Sequence, residues 1–130
     1  MEKGAIFKKL RLDSEQRILI LNAPSEYLSL LEGITFDEKP KEDNFYDFVQ
    51  VFGYQQDELE LLVKSVQKSG KYDCLFWACY PKGTGKIKSN IKRETVWKAL
   101  DLVSLDTVTQ VAIDETWSAL RGRPTEMIGK

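Results

Sequence analysis

The chain has 130 residues and a mass of 15.0 kDa, which suits one domain with a single hydrophobic core. Apolar residues make up 42% of it and charged residues 30%, a balance that excludes a disordered chain. The net charge of -1 gives no overall attraction to nucleic acid or to an anionic membrane. We expect a cytoplasmic protein, because the charged start, Met1 to Lys9, lacks the apolar core of a secretory signal and no apolar run could span a bilayer.

The first half of the chain alternates apolar runs with polar or amphipathic segments. Gln16 to Asn22 form a short apolar run typical of a strand buried on both faces. The next residues predict a helix that Gly33 ends, and Ile34 to Phe36 predict a very short edge strand. After a polar loop, Phe45 to Gly53 are rich in valine and aromatic residues and predict the next strand.

The clearest helical pattern follows Gly53. Four apolar residues recur there at the spacing of one helix face: Leu59, Leu62, Val63 and Val66. Asp57 with Glu60 resembles a capping box, and Gln55 is an alternative, earlier start. A helix is therefore predicted from this region to Ser69 and Gly70.

The last part of the chain predicts a central strand, a helix and a hairpin. Lys71 to Pro81 form the most apolar run, and a helical stripe ending at Val103 follows a glycine-containing loop. Strands are predicted at Thr107 to Ile113 and Trp117 to Arg123, and the short turn between them can join only antiparallel neighbours. Trp77 and Trp97 lie on apolar stretches and are predicted to be in the core.

This order of elements predicts a single three-layer α/β domain of the Rossmann-like kind. Alternating strands and helices favour a mostly parallel sheet, here of about six strands in the order 2-1-3-4-6-5, with an antiparallel hairpin at one edge. Ligands of such sheets bind outside the carboxyl ends of the strands, where the strand order reverses. That place lies between the strand ends at Asn22 and Gly53, with Tyr80 beside them.

Three stretches, "RILILNAPSEYL", "YPKGTG" and "VAIDETWSALRGRP", together resemble a small bacterial family of domains of unknown function. The resemblance covers nearly the whole chain. It implies a fold similar to a pared-down class I methyltransferase domain, and it implies no particular activity.

The methyltransferase likeness raises S-adenosylmethionine as a cofactor to consider. Such enzymes hold it with a glycine-rich turn after the first strand and an acidic residue farther along that grips the ribose. Here the turn begins Asn22-Ala23-Pro24 and has no glycine before Gly33, while Asp37 or Glu38 stands where the acidic residue is expected. We therefore predict no resident cofactor.

The segment from Pro81 to Arg93 is the best candidate for an anion site. It holds five basic residues, Lys82, Lys86, Lys88, Lys92 and Arg93, and no acidic one. Gly83 and Gly85 permit backbone N–H groups to converge on an anion, and the next helix, which begins near Asn90 to Arg93, would add its dipole. With Asn22 and Tyr80, these residues form the predicted ligand site; a solvated surface loop is the alternative.

The loop is not a nucleotide-hydrolysing one. A Walker A motif needs a glycine where this chain has Tyr80 and a Ser or Thr where it has Ile87. Nucleic-acid binding is also disfavoured, because no aromatic residue interleaves the lysines and the stretch from Asp37 to Asp47 is acidic.

No catalytic constellation is recognised, and we predict no metal site. The chain has no histidine, and Cys74 and Cys79 would lie about 16 Å apart on opposite faces of a strand. We expect Asp114 and its neighbour Glu115 to serve the hairpin turn. Trp117 and Arg121 lie on one face of the last strand, where they either stack on each other or form the rim of a cleft.

Two functional hypotheses follow. The first is a non-enzymatic domain that binds a small anion or a partner protein at the carboxyl ends of the strands. The second is a degenerate methyltransferase-like enzyme, or a protein that binds S-adenosylmethionine or a nucleotide in the same place.

Overall fold

The computed structural model describes residues 3–83 and 85–129 as a five-stranded sheet with helices on both faces. Its elements in chain order are α1 (Lys3–Leu10), β1 (Ile18–Leu21), α2 (Ser25–Leu30), β2 (Tyr46–Phe52), α3 (Gln56–Ser65), β3 (Gly70–Pro81), α4 (Arg93–Asp101), β4 (Leu105–Ala112) and β5 (Trp117–Pro124), followed by a 3-10 turn at Thr125–Met127. The strand order is β1-β2-β3-β5-β4. Strands β1, β2 and β3 are parallel, and β5 and β4 are antiparallel to their neighbours. The predicted α/β class and the C-terminal hairpin are confirmed.

The prediction of a sixth strand is wrong. Ile34 to Phe36 form no strand, and in their place Asp37 makes an isolated parallel bridge with Leu19 of β1. The segment that follows the bridge is charged and contains Pro40, which cannot donate to a strand ladder. With that edge strand removed, the remaining order is the predicted one.

The two faces of the sheet carry separate apolar layers. Leu19 and Val49 pack in the layer formed with α3 and α4. Ile18 and Phe48, their immediate neighbours in sequence, pack in the layer formed with α1 and α2. Because successive strand residues point to opposite faces, the continuous apolar runs are explained by burial on both sides, and the three-layer arrangement is confirmed.

Helix α1 was not predicted from the sequence. It buries Ile6, Phe7 and Leu10 against the sheet, and the indole N–H of Trp77 donates to the Leu10 carbonyl at 3.0 Å. These three residues have the i, i+1, i+4 spacing of one helix face, which was the signal available in the sequence. The first two residues of the segment lie outside the described part of the chain.

The structure corrects one prediction about the helices and confirms another. Trp77 is 1% exposed, as predicted. Trp97 is 46% exposed, so its predicted place in the core is wrong. Helix α4 turns its buried residues, Val96, Ala99 and Leu100, toward the sheet and leaves Trp97 outside. Helix α3 begins with Gln55 as its N-cap, so the earlier of the two predicted starts is confirmed.

The two cysteines are free thiols on opposite faces of β3, as predicted. Burial raises the pKa of the Cys74 thiol to about 12, and it also raises the pKa of the fully buried Cys79. Cys79 accepts a hydrogen bond from Gln50 at 3.3 Å, and Gln50 in turn accepts one from the Tyr27 hydroxyl at 2.8 Å. Both thiols are therefore protonated at neutral pH and serve packing.

Candidate functional site

A cleft of about 400 Å³ lies where the carboxyl ends of β1, β2 and β3 meet the β4–β5 hairpin. We call it the carboxyl-edge cleft. Its lining residues come from the turn after β1 and the start of α2, the segment after β2, the loop after β3, and the hairpin: Pro24, Ser25, Glu26, Tyr54, Lys86, Ile87, Asp114, Thr116 and Trp117. This is the end of the sheet where the sequence predicts a ligand.

Aromatic rings form one wall of the carboxyl-edge cleft. The Trp117 ring packs edge-to-face against the Phe52 and Tyr54 rings, with distances between ring centroids of 5.2 Å and 5.1 Å. Trp117 is 2% exposed, so Tyr54, which is half-buried, is the ring that presents surface to a ligand. The packing behind it fixes its orientation.

Tyr54 is also held by its backbone and by nearby charge. Its N–H donates to the Glu58 carboxylate at 2.6 Å. Burial raises the pKa of the Tyr54 hydroxyl, and the carboxylates of Glu26 and Glu58 raise it further. The hydroxyl is therefore protonated at neutral pH and can act as a hydrogen-bond donor.

Asp114 serves the hairpin turn, as predicted. One of its carboxylate oxygens accepts the N–H groups of Thr116 at 2.8 Å and of Trp117 at 2.7 Å. These bonds fix the position of Trp117 in the wall of the cleft. Asp114 is thus a structural residue, while Glu115 is exposed.

The predicted anion residues divide between two places. Lys86 lines the carboxyl-edge cleft. Tyr80, Lys82, Gly83 and Arg93 line a separate groove of about 460 Å³, which we call the lysine groove, together with residues of α4, β4 and β5 that the sequence did not indicate. Its lining residues are Tyr80, Pro81, Lys82, Gly83, Ile91, Lys92, Arg93, Glu94, Gln110 and Ser118. Asn22 and Gly85 line neither place.

The glycines of the loop form a turn. The Gly85 N–H donates to the Lys82 carbonyl at 3.0 Å, and the Lys82 N–H donates to the Thr116 carbonyl at 2.8 Å. Gly83 has no positive φ. Thr84 lies outside the described residues, and a backbone nest at these glycines stays a prediction.

Tyr80 and Arg93 lie close together in the lysine groove. Burial raises the pKa of the Tyr80 hydroxyl, while the nearby Arg93 guanidinium acts to lower it. The Tyr80 hydroxyl accepts a hydrogen bond from the Gln110 side chain at 3.1 Å. The pairing of β4 with β5 brings Gln110 here, and a one-dimensional pattern does not reveal that neighbour.

Asn22 has a clear structural task. Its φ of 62° lies in the left-handed region that asparagine tolerates, and its side-chain amide donates to the Phe52 carbonyl at 2.7 Å. The bond joins the ends of β1 and β2. A ligand contact by Asn22 stays a prediction.

Trp117 and Arg121 do not form one rim. Trp117 lines the carboxyl-edge cleft, whereas Arg121 pairs in register with Trp77, about 13 Å farther along the strand at about 3.3 Å per residue. Arg121 is 8% exposed. The rings that contact Trp117 are those of Phe52 and Tyr54, so the predicted stacking with Arg121 is not what positions it.

The residues expected to grip S-adenosylmethionine do not fit it. The turn after β1 lacks glycine, and Pro24, which precedes α2, has no N–H to offer. Asp37 is engaged elsewhere, because its carboxylate accepts the Tyr46 hydroxyl proton and pairs with Lys41 at 3.1 Å. The hydrogen bond from Tyr46 is the main reason that the pKa of Asp37 is lowered. Asp37 therefore does not face the cleft.

Two features are absent from the described ranges, residues 3–83 and 85–129. They contain no group of three or more His, Cys, Asp or Glu side chains arranged to hold a metal ion. None of their helices has the length and apolarity needed to cross a membrane.

Comparisons with known proteins bear on the fold. No family model matches the chain, and no curated protein does. Solved structures do match. Magnesium protoporphyrin IX methyltransferase from Synechocystis PCC 6803, solved with bound SAH, has a TM-score of 0.61 at 8% identity over 95% of this chain and 83% of that one. A SAM-dependent methyltransferase from Aquifex aeolicus has a TM-score of 0.58 at 10% identity, covering 93% and 88%. A putative type 11 methyltransferase from Sulfolobus solfataricus has a TM-score of 0.57 at 13% identity, covering 98% and 82%.

These matches establish a fold like that of class I methyltransferases. Identities of 8 to 13% carry no activity across, and the resemblance to the small bacterial family stays a prediction.

Proposed function

We propose that the protein is a methyltransferase-like binding domain that takes a small nucleoside-type ligand in the carboxyl-edge cleft. The supporting observation is the position and lining of the cleft. Its 400 Å³ lie at the carboxyl ends of parallel strands, and the half-buried Tyr54 ring forms part of one wall. Sheets of this kind bind nucleotides at that end.

The chemistry of the lining supports a planar heteroaromatic ligand. A base can stack on the Tyr54 ring, which every purine or pyrimidine face permits. The protonated Tyr54 hydroxyl donates, and the Glu26 carboxylate accepts, so polar groups of the ligand would find a partner of either kind. Lys86 adds a positive charge at the same cleft.

S-adenosylmethionine and its demethylated product are the first ligands to test, since the similar structures are methyltransferases and one of them holds SAH. The contact mode would differ from the glycine-turn mode, because the turn after β1 and Asp37 are otherwise occupied. We therefore propose ligand binding alone for this cleft.

Isothermal titration calorimetry tests this proposal with S-adenosylmethionine, S-adenosylhomocysteine and adenosine. We expect at least one to bind, and Tyr54→Ala to weaken it roughly 5- to 150-fold, since stacking on one aromatic ring contributes about 1–3 kcal/mol. Trp97→Ala is the matched control, because Trp97 is an exposed aromatic residue on α4, outside the cleft lining. If none of the three binds at millimolar concentration, or Tyr54→Ala leaves the Kd unchanged, the proposal is wrong.

A second candidate is anion binding in the lysine groove, which one observation favours. Lys82, Lys92 and Arg93 line the groove together, and none of them forms an ion pair with any residue that the structure describes. Under this proposal inorganic phosphate raises the Tm more than chloride of equal ionic strength does, and Lys82→Ala combined with Arg93→Ala removes the difference. An equal response to both salts would exclude this use of the groove.

A further inference from the structure

The two edge strands of the sheet differ in how their outer sides are covered. The outer side of β1 is bridged by Asp37, which exchanges backbone hydrogen bonds of 2.9 Å with that strand. No described segment bridges the outer side of β4. Edge strands are ordinarily protected by lysine, proline or short length, yet β4 is eight residues long and Asp106 is its one charged residue. A bulge between Thr107 and Thr109 bends the strand but leaves its outer side open to another chain.

Helix α4 packs beside this open edge and turns Trp97 toward it. Arg93, one turn before Trp97, lines the lysine groove together with Gln110 of β4. The opposite side of α4 contacts α3, because the Thr95 carbonyl accepts a hydrogen bond from the Gln56 side chain at 2.8 Å. Since residues four apart share one side of a helix, Trp97 lies on the β4 side of α4, where it is exposed.

Arg93, Trp97 and Asp101 recur at every fourth residue and form one stripe along α4, which we call the α4 stripe. Its charges oppose the helix dipole, because a cation at the first residue and an anion at the last residue both destabilise a helix. Glu94 and Lys98, which each follow a residue of the stripe, have the favourable signs. Neither Arg93 nor Asp101 forms an ion pair with a described residue. Charges that break a local rule in this way are typical of functional surfaces.

We infer that the α4 stripe is the contact surface of a homodimer, in which a second copy packs its own α4 antiparallel across a two-fold axis at Trp97. A two-fold interface uses the same surface on both subunits, so the stripe must complement itself. It does so, because Arg93 and Asp101 each lie four residues from Trp97, and antiparallel packing sets the cation of one copy opposite the anion of the other. The two Trp97 rings cover each other at the axis, beside the open edges of β4. The dimer does not depend on the proposed nucleoside ligand, since no residue of the stripe lines the carboxyl-edge cleft.

Sedimentation equilibrium tests this inference up to a protein concentration of about 1 mM, since a contact made by one helix face belongs to the small, weak class of interfaces. The buffer contains chloride and no phosphate, because Arg93 also lines the lysine groove. We expect the mass to rise from 15.0 kDa toward twice that value. The fluorescence of Trp97 should shift to shorter wavelength in parallel, since Trp77 and Trp117 are already buried. A monomer at every concentration would overturn the inference and leave this face to a partner of another kind.

A charge swap makes the test specific to the α4 stripe. Arg93→Asp alone and Asp101→Arg alone place like charges opposite each other, so each should weaken the dimer by more than about tenfold. Both changes suit the dipole of α4, so both variants should fold. Mixed in equal amounts, the two variants should associate again, because each supplies the charge that the other needs. Leu61→Ala, at an exposed apolar residue of α3, is the matched control and should leave the dimer intact. Single variants that dimerise like the unaltered protein, or a mixture that stays monomeric, would contradict the role of the stripe.

Discussion

The two edges of the parallel part of the sheet use their charges differently. At the amino edge, where β2 and β3 begin, three aspartates each pair with a cation. Their ion pairs are Asp37 with Lys41 at 3.1 Å, Asp47 with Lys71 at 2.8 Å, and Asp73 with Arg123 at 2.8 Å. Backbone or hydroxyl donors add to two of them, since Asp47 accepts the Arg17 N–H and Asp37 accepts the Tyr46 hydroxyl.

At the carboxyl edge the charged side chains are left without ion pairs. Glu26, Lys82, Lys86 and Arg93 make none with the described part of the chain. Hydrogen bonds that the Asn22 amide donates and the Asp114 carboxylate accepts hold the backbone in place there. The aspartates of the amino edge therefore stabilise the fold, while at the carboxyl edge Asp114 holds the hairpin turn and Glu26, Lys82, Lys86 and Arg93 remain available to a ligand.

The largest effect is expected from Asp73→Ala. Removing this carboxylate leaves Arg123 without its bidentate partner and makes the surroundings of Arg121 more positive. We expect the free energy of unfolding in urea to fall by about 2 kcal/mol, below the range for fully buried pairs because Asp73 is partly exposed. Glu115→Ala, at the carboxyl edge, should change it by less than about 0.5 kcal/mol. Equal effects would break the distinction between the edges.

A smaller effect is expected from Tyr46→Phe. The Tyr46 hydroxyl donates to Asp37 and accepts the Lys41 N–H at 3.2 Å, so its removal should cost about 1 kcal/mol of unfolding free energy. Tyr54→Phe is the matched control at the carboxyl edge. Its hydroxyl has no hydrogen-bond partner in residues 3–83 and 85–129, and urea unfolding should show a change within about 0.5 kcal/mol.

The pH dependence of stability should come from the amino edge. The pKa of Asp73 is lowered mainly by its hydrogen bond from Arg123, and that of Asp47 mainly by the Arg17 N–H. A lowered pKa in the folded state means that the stabilisation is fully present above the ordinary value of 3.8 and is lost as the pH falls through the folded-state pKa. Urea unfolding between pH 6 and about pH 2 should show this acid loss.

The variant Asp73→Asn separates the contribution of Asp73 to the acid response from the contributions of the other carboxylates. The amide has no proton to gain in this range, so the variant should lose less stability on acidification than the unaltered protein does. An acid limb of the same depth in both proteins would mean that Asp73 does not contribute to it.

The smallest effect is expected from Lys82→Ala combined with Lys86→Ala. Neither side chain forms an ion pair with a described residue. Lys82 lines the lysine groove and Lys86 lines the carboxyl-edge cleft. The Tm without added ligand should therefore shift only slightly, by an amount that corresponds to at most about 0.5 kcal/mol of unfolding free energy. A large loss would show that the loop charges stabilise the fold and would remove the contrast between the edges.

The sequence predicted the parallel strands well because most of β1 and β2 and the second half of β3 are buried on both faces. The apolar runs at Ile18–Leu21, Tyr46–Phe52 and Gly70–Pro81 stand out from their surroundings, and the short turn before Trp117 leaves only an antiparallel pairing. The prediction for Trp97 was wrong because this residue follows the buried Val96 directly, and the sequence alone does not show whether such a neighbour lies on the buried or on the exposed side of the helix.

The candidate site was predicted only in its location. The carboxyl ends of the strands follow from topology, but the lining depends on contacts between distant segments. Tyr54 contacts Trp117 because the end of β2 and the hairpin lie side by side. Asp37 is not available to a ligand because its carboxylate accepts a hydrogen bond from Tyr46. Nothing in the sequence around Arg121 sets it apart from other arginines. Its burial and its unpartnered Nε atom appear only in the structure.

A backbone ¹⁵N–¹H titration with S-adenosylmethionine and with adenosine tests the central claim, that the carboxyl edge is the binding edge. The account predicts saturable shifts for residues around the carboxyl-edge cleft, among them Ser25, Tyr54, Lys86 and Thr116, with the amino-edge residues Asp47 and Asp73 unchanged. Shifts concentrated at Asp47 and Asp73, or no shift from either ligand at millimolar concentration, would contradict it.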